Sequence, residues 1–171
     1  MKKALLVIDI QNDYFSGGKF PLWHTEETLA NILQAIAMAQ TKGIPVILVQ
    51  HIANPEKGLA PFFNQNTEGV LIHPRILEAA PDAPIVVKQY ADSFLHTDLE
   101  ATLSKLGITD LLACGMMTQN CVTHTAISKA AEKYQVSILT NCCTTVDQMI
   151  HLIALNAVAP RLSLVASSDA F

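Results

Sequence analysis

Charged side chains are scarce in this 171-residue sequence: Asp, Glu, Lys and Arg supply 15% of it, against about a quarter in an average globular protein. Half of the residues are hydrophobic, so the surface is expected to keep apolar area for a partner subunit, in a homodimer or homotetramer. A basic excess is also missing. The formal net charge of −4 gives no positive field for a phosphate backbone and argues against nucleic acid as a partner. No apolar stretch approaches the roughly 18 residues needed to cross a membrane. Lys2 and Lys3 precede the apolar run Ala4 to Ile8, but Asp9 breaks that run before it reaches the length of a secretory segment. The cytoplasm is therefore the expected compartment. The four cysteines, Cys114, Cys121, Cys142 and Cys143, include no C-x-x-C pair and no Cys/His spacing of structural zinc, so reduced thiols are the simplest reading. The adjacent Cys142 and Cys143 read as packing residues. Without a repeat or a linker, residues 1–171 read as one domain with one core.

Apolar runs alternate with helical patterns, the signature of an α/β protein with a parallel sheet covered on both faces. Six strands are expected, at Ala4 to Asp9, Pro45 to Gln50, Ile85 to Lys88, Leu111 to Gly115, Val136 to Thr140 and Leu162 to Val165. Glu26 to Thr41 carries Leu29, Ile32, Leu33 and Ile36 at helical spacing, with Gly43 just past its end. Asp98 to Leu106 repeats the pattern and stops at Gly107; a third helix is expected from Thr118, and a fourth from about Val146 to Val158. The segment Ile52 to Ala83 follows neither period, and long irregular stretches inside a domain are usually functional. Phe62 and Phe63 stand in it among polar residues. They are expected either to lay rings over a pocket or to anchor the loop or a subunit interface.

Three places carry candidate chemistry. In Leu111-Leu112-Ala113-Cys114-Gly115-Met116-Met117-Thr118-Gln119-Asn120-Cys121-Val122 an apolar run ends in Gly, a Thr follows as a capping candidate, and Cys121 falls in the first turn of the expected helix. Orphan N–H groups and the positive end of the helix dipole favour an anion there, which can lower a thiol pKa from its usual value of about 8.5. Cys121 is thus the candidate nucleophile. Ala4 to Ile8 ends in Asp9, followed by Gln11-Asn12-Asp13-Tyr14-Phe15, and Pro84 to Val87 ends in Lys88, followed by Gln89-Tyr90-Ala91-Asp92-Ser93-Phe94. Each reads as a buried strand that stops at a charge. Open α/β sheets bind ligands beyond the carboxyl ends of their strands, where all three residues are expected.

With these segments the chain resembles the isochorismatase-like cysteine hydrolases, which include nicotinamidases, N-carbamoylsarcosine amidase and ureidoacrylate-type amidohydrolases, and whose hallmarks are D-x-Q-N-D-F, K-x-x-x-S-x-F and G-x-x-T-x-x-C-V. Tyr14 replaces the usual Phe, and Asp92 precedes Ser93 where the family spacing is approximate. The resemblance covers Ala4 to about Val146. It implies a three-layer α/β/α fold with a six-stranded parallel sheet in the order 3-2-1-4-5-6, which places Asp9 and the Cys121 loop on the two sides of the reversal. It further implies a catalytic triad of Asp9, Lys88 and Cys121, with an oxyanion hole from the N–H groups of Cys121 and of Met117 behind a cis Met116-Met117 peptide. Gln11, Tyr14 and either Phe62 or Phe63 would contact the substrate.

In that assignment Asp9 takes the thiol proton and returns it to the departing amine, while the Lys88 ammonium favours the anionic forms of its neighbours. The expected reaction is cysteine-dependent hydrolysis of a C–N bond in a small amide, carbamoyl or ureido compound through a thioester-type intermediate, with no cofactor. Histidines are the rival. His124 follows Cys121 by three residues on one helical face, but side chains tilt towards the helix N-terminus and such a pair rarely leaves a free line of attack. Nicotinamidases resembling this chain hold a divalent ion through an Asp and several His after strand 2; here Gln50-His51-Ile52-Ala53 replaces that D-x-H, and His51 and His73 alone fall short of a site that usually needs three protein ligands. No metal is expected. His24, His96 and His151 read as surface or packing residues. Outside amidases, the alternatives are vinyl ether hydrolysis, which does not require the cysteine, a non-catalytic binding domain on the same fold, and a redox-sensing thiol with Cys114 approaching Cys121.

Overall fold

A computed structural model describes residues 1–171. The apolar runs form β1 (Lys3–Ile8), β2 (Val46–His51), β3 (Ile85–Lys88), β4 (Asp110–Met116), β5 (Gln135–Thr144) and β6 (Ser163–Val165). They pair in parallel in the order β3-β2-β1-β4-β5-β6, as the resemblance implies. β1 and β4 occupy the middle and are buried along nearly their whole lengths, which is why they read as unbroken apolar runs. β3 lies at an edge, and its side chains alternate between exposed and buried.

The helices are α1 (Thr25–Thr41), α2 (Pro74–Ala79), α3 (Leu99–Leu106), α4 (Thr123–Ala126), α5 (Gln148–Val158) and α6 (Ser167–Ala170). Leu29, Ile32 and Ile36 of α1 are fully buried, as their spacing requires. α3 stops where Gly107 takes a left-handed conformation. α5 starts at Asp147, whose carboxylate accepts the Ile150 N–H at 2.8 Å and so satisfies one of the free donors of the first turn. α1 packs with α2 and α6, and α4 with α5.

Two elements differ from expectation. The segment from Ile52 to Ala83 contains α2, which begins at Pro74 and is capped by His73, whose Nδ1 accepts the Arg75 N–H at 3.3 Å. Only Ile76 of this six-residue helix is buried, too little for a hydrophobic period to show. The helix expected from Thr118 opens instead as a wide π turn over Thr118–Val122 and continues as α4 for a single turn. It then breaks at Ser128, whose hydroxyl accepts the Ala130 N–H, and resumes as a 3-10 turn over Lys129–Lys133.

Gly115 explains how the nucleophile loop meets β1. Its φ is +132°, and a Cβ there would lie 2.0 Å from the Ile8 carbonyl oxygen. Only a residue without a side chain lets β4 pass this close to the end of β1.

Candidate active site

Asp9 leaves β1 with φ +55°, in the left-handed region, a conformation that costs a non-glycine residue about 1–3 kcal/mol and concentrates at functional sites. Its side chain is wholly buried. Lys88 ends β3 two strands away, yet its extended side chain brings Nζ to 2.8 Å from Asp9 Oδ2 and 3.2 Å from Cys121 Sγ. The same ammonium lies 3.0 Å from His51 Nδ1 and 3.0 Å from the Tyr90 carbonyl oxygen. The ammonium is thus shared among Asp9, Cys121, His51 and Tyr90, with the Asp9 oxygen its nearest contact. A buried carboxylate is costly unless a charge compensates it, and Lys88 supplies that charge.

Burial pulls the Lys88 pKa down, but Asp9 and Cys121 outweigh it and the net shift is upward, so the ammonium is retained. The thiol behaves differently from the expected helix-start thiolate. Burial and the Asp9 charge raise the Cys121 pKa, and Lys88 offsets only part of the rise. At rest the residue is a thiol, because burial and the neighbouring carboxylate both disfavour the anion. Burial and the adjacent Lys88 charge lower His51 to about 4. This imidazole is neutral at ordinary pH. Lysine can only donate, so Nδ1 is the acceptor and the ring proton resides on Nε2.

Asp9, His51 and Cys121 each offer an atom within 4.8 Å of the others, a set able to ligate a cation. The Lys88 ammonium already stands among them at 2.8, 3.0 and 3.2 Å. The cation these donors fit is Lys88 itself. His73 is occupied elsewhere, capping α2 and packing against Phe15 with ring centroids 4.6 Å apart.

Other motif residues hold this arrangement in place. The Met116-Met117 peptide is cis. Met117 leads into the π turn, and its carbonyl accepts the N–H groups of Asn120 and Val122 at 3.0 and 3.3 Å. Thr118 is fully buried, with its hydroxyl 2.8 Å from His151 Nδ1 on α5; His151 is thus tied to the nucleophile turn and is not an idle surface residue. Ser93 joins the loop after Lys88 to α4, since its N–H and hydroxyl both lie within 2.9 Å of Thr125 Oγ1. Asp13, not singled out from sequence, accepts the Phe63 N–H at 2.7 Å and the Lys19 N–H at 3.1 Å and sits against Gly69, where any Cβ would collide with it.

Gln11 is not free to contact a substrate. Its amide donates to the His51 and Val70 carbonyls at 2.8 and 2.7 Å and accepts the His51 N–H at 2.8 Å, so it positions His51. Phe63 is buried and acts as the loop anchor, with Phe62 half-buried beside it; both pack on Tyr14, at centroid distances of 4.6 and 5.4 Å. The Tyr14 ring is buried in that cluster, but its hydroxyl has no protein partner and lies near enough to Asp9 and Cys121 for burial and their charges to raise its pKa. Of the expected contact residues, Tyr14 faces the reacting groups. His124 is exposed and bonded to the Asn120 carbonyl at 2.8 Å, so it does not pair with Cys121. Cys114 lies near Cys142 and Cys143.

The class is thus an α/β protein in which a buried thiol, carboxylate and ammonium converge at the sheet's topological reversal. Residues 3–170 match the isochorismatase domain, and the chain belongs to the isochorismatase family of hydrolases. It is 38% identical over 150 residues to the isochorismatase family protein YddQ of Bacillus subtilis, covering 88% of this chain and 82% of that one. It is 26% identical to the nicotinamidase of Escherichia coli, over 85% of this chain and 84% of the relative. A solved structure assigned as an isochorismatase hydrolase from Oleispira antarctica superposes with a TM-score of 0.86 at 31% identity, over 98% of this chain and 95% of the other. No helix is long and apolar enough to cross a membrane.

Proposed function

We propose that this chain hydrolyses the C–N bond of a small amide, carbamoyl or ureido compound, with Cys121 as nucleophile. The observation that carries the reading is the buried Lys88 ammonium, in contact with both Asp9 and the Cys121 thiol. A protein with only a packing cysteine has no reason to bury a charge pair against it, since two buried ions cost several kcal/mol in desolvation. The nicotinamidase relative supports the amide class.

In the proposed sequence Asp9 takes the Cys121 proton as the thiolate attacks the carbonyl carbon, and Lys88 stabilises the sulfur anion as it forms. The N–H groups of Met117 and Cys121 receive the oxyanion. Asp9 then delivers its proton to the nitrogen, the C–N bond breaks, and the amine leaves behind a thioester. Water attacks that thioester, Asp9 accepts its proton, and the tetrahedral species collapses to release the acid and regenerate the thiol. Asp9 suits both transfers because it is buried beside the Cys121 thiol and is held by Lys88 at 2.8 Å.

The test is ammonia release from a panel of small amides and ureas, run with the native protein and Cys121→Ala. Turnover by the native protein alone is the expected result, and it should survive prolonged treatment with a strong chelator. Near-native turnover by Cys121→Ala would refute the covalent mechanism.

A further inference from the structure

α5 turns an apolar face to water. A surface helix ordinarily carries polar and charged residues on its outer side, and α1 follows that rule, exposing Glu26, Glu27, Gln34 and Gln40. α5 buries Ala154, Leu155 and Val158, yet it also exposes Met149, Leu152 and Ile153, at 70%, 55% and 60%, with the exposed Val146 just ahead of it. The spacing i, i+3, i+4 makes these side chains one stripe. They form a patch of the size at which exposed apolar surface on a soluble protein marks an interaction site. A stable interface takes about 800 Å² from each partner, and the exposed, uncharged Gln148, Asn156 and Ala157 widen the face towards that area.

The ends of the helix say what covers it. Asp147 stands at its start and Arg161 just past its end, both exposed, and no charged residue lies between them. Asp147 spends one carboxylate oxygen on the Ile150 N–H. Arg161 reaches only Glu132, at 4.0 Å, too far for a hydrogen bond. A second α5 laid antiparallel on the first brings its Arg161 towards Asp147 and its Asp147 towards Arg161, sets apolar stripe on apolar stripe between them, and opposes the two helix dipoles. A parallel copy would bring like charges together. The face is therefore complementary to itself about a two-fold axis near Leu152 and Ile153.

We infer that two copies of this chain pair through α5, and that the contact clamps the turn presenting Cys121. His151, next to Leu152 on the same helix, lies 2.8 Å from the Thr118 hydroxyl, and α5 packs directly on the Thr118–Val122 turn. A second copy pressed on the outer side of α5 keeps the helix seated on that turn. In a lone chain the outer side is held by nothing. Neither the interface nor the clamp depends on which bond the site hydrolyses.

The experiment is sedimentation equilibrium of the native protein, Ile153→Glu, Ile153→Lys, an equimolar mixture of those two variants, and Leu77→Glu, which alters an exposed apolar residue on α2. The native protein and Leu77→Glu should be dimers at about 10 µM, where an interface of standard size is populated. Each Ile153 variant alone should dimerise at least about a hundredfold more weakly, because like charges meet near the axis. Ile153 is exposed in the single chain, so neither charge has to be buried for the variant to fold. The mixture should recover the dimer, since each glutamate then faces a lysine, a result that only an isologous contact gives. Alkylation of Cys121 by iodoacetamide reads the clamp. It should be at least about threefold faster in either variant alone than in the native protein, the scale of one hydrogen bond lost, and return to the native rate in the mixture. A native protein still monomeric at about 100 µM, a mixture of the two folded variants that stays monomeric, or dissociation by Leu77→Glu and not by Ile153→Glu would overturn the interface. Equal alkylation rates in monomer and dimer would overturn the clamp.

Discussion

Cys121 and Cys143 are buried to nearly the same degree, at 3% and 5% exposure, and burial raises both thiols. Their neighbours differ. Cys143 donates to the Leu139 carbonyl at 3.3 Å within a group of thiols that includes Cys114 and Cys142. Cys121 faces an ammonium at 3.2 Å and the buried carboxylate paired with it. A buried cysteine is by default a small hydrophobe; the opposed charge pair is what makes one of these two a candidate for chemistry. Reactivity at Cys121 is therefore conditional. In the proposed reaction, deprotonation belongs to the moment when a substrate carbonyl is present to receive the sulfur and Asp9 to receive the proton.

The largest effect that would break this contrast is on turnover. Cys121→Ala is expected to lower the hydrolysis rate by a factor of at least about 10³, because losing one member of a unit that acts together approaches losing all of it. Cys143→Ala should change turnover little and shift stability by roughly 1–2 kcal/mol through its small cavity. A comparable rate loss in both variants, with both folded, would erase the distinction.

Next is Lys88→Met, which removes the cation and leaves Asp9 buried without compensation. The expected cost is about 3–5 kcal/mol of stability, read by denaturant unfolding, along with a loss of turnover. Lys88→Met combined with Asp9→Asn should recover a large part of the stability and none of the activity. A double variant no more stable than the single one would mean that the pair is not coupled as its 2.8 Å contact implies.

Alkylation by iodoacetamide sharpens the comparison along pH. The folded Cys121 pKa lies above its usual value because burial and Asp9 outweigh Lys88, so the reactive thiolate is the minor form at neutral pH and grows as pH rises. The labelling rate of the native protein should therefore keep increasing beyond pH 9, with no plateau near 7. Asp9→Asn removes one charge that disfavours the thiolate and should move the rise to lower pH; Lys88→Met should move it higher. A plateau near neutral pH in the native protein would show a resting thiolate and overturn the conditional mechanism.

How much of this was legible in the sequence follows from where each residue gets its constraint. The two charges at strand ends stand in contiguous motifs, the family resemblance those motifs carry implied the strand order and the cis Met116-Met117 peptide, and the structure has them. Gln11 belongs to the same motif but was misread as a substrate contact. What occupies its amide, the His51 and Val70 backbone, lies 40 and 59 residues away. The helix after Thr118 was expected to be regular because its apolar spacing is helical, and the fold made its first turn wide instead. His51 shows the same limit. Its position was weighed only as a metal ligand, while its partnership with Lys88 depends on β2 and β3 pairing side by side. Residues whose roles are local were readable; those that brace a distant loop were not.

The smallest predicted effect concerns His151, the bracing residue farthest from any recognised motif. Its Nδ1 lies 2.8 Å from the buried Thr118 hydroxyl, which opens the turn that presents Cys121. One such hydrogen bond contributes about 0.5–1.5 kcal/mol net, so His151→Ala is expected to slow turnover roughly two- to tenfold. The loss should fall on kcat, because the bond positions the nucleophile and touches no substrate. His151→Asn, which keeps a short polar group at that position, should recover part of kcat. A loss confined to KM, or identical rates for Asn and Ala, would show that α5 merely packs against the Cys121 turn and does not set its position.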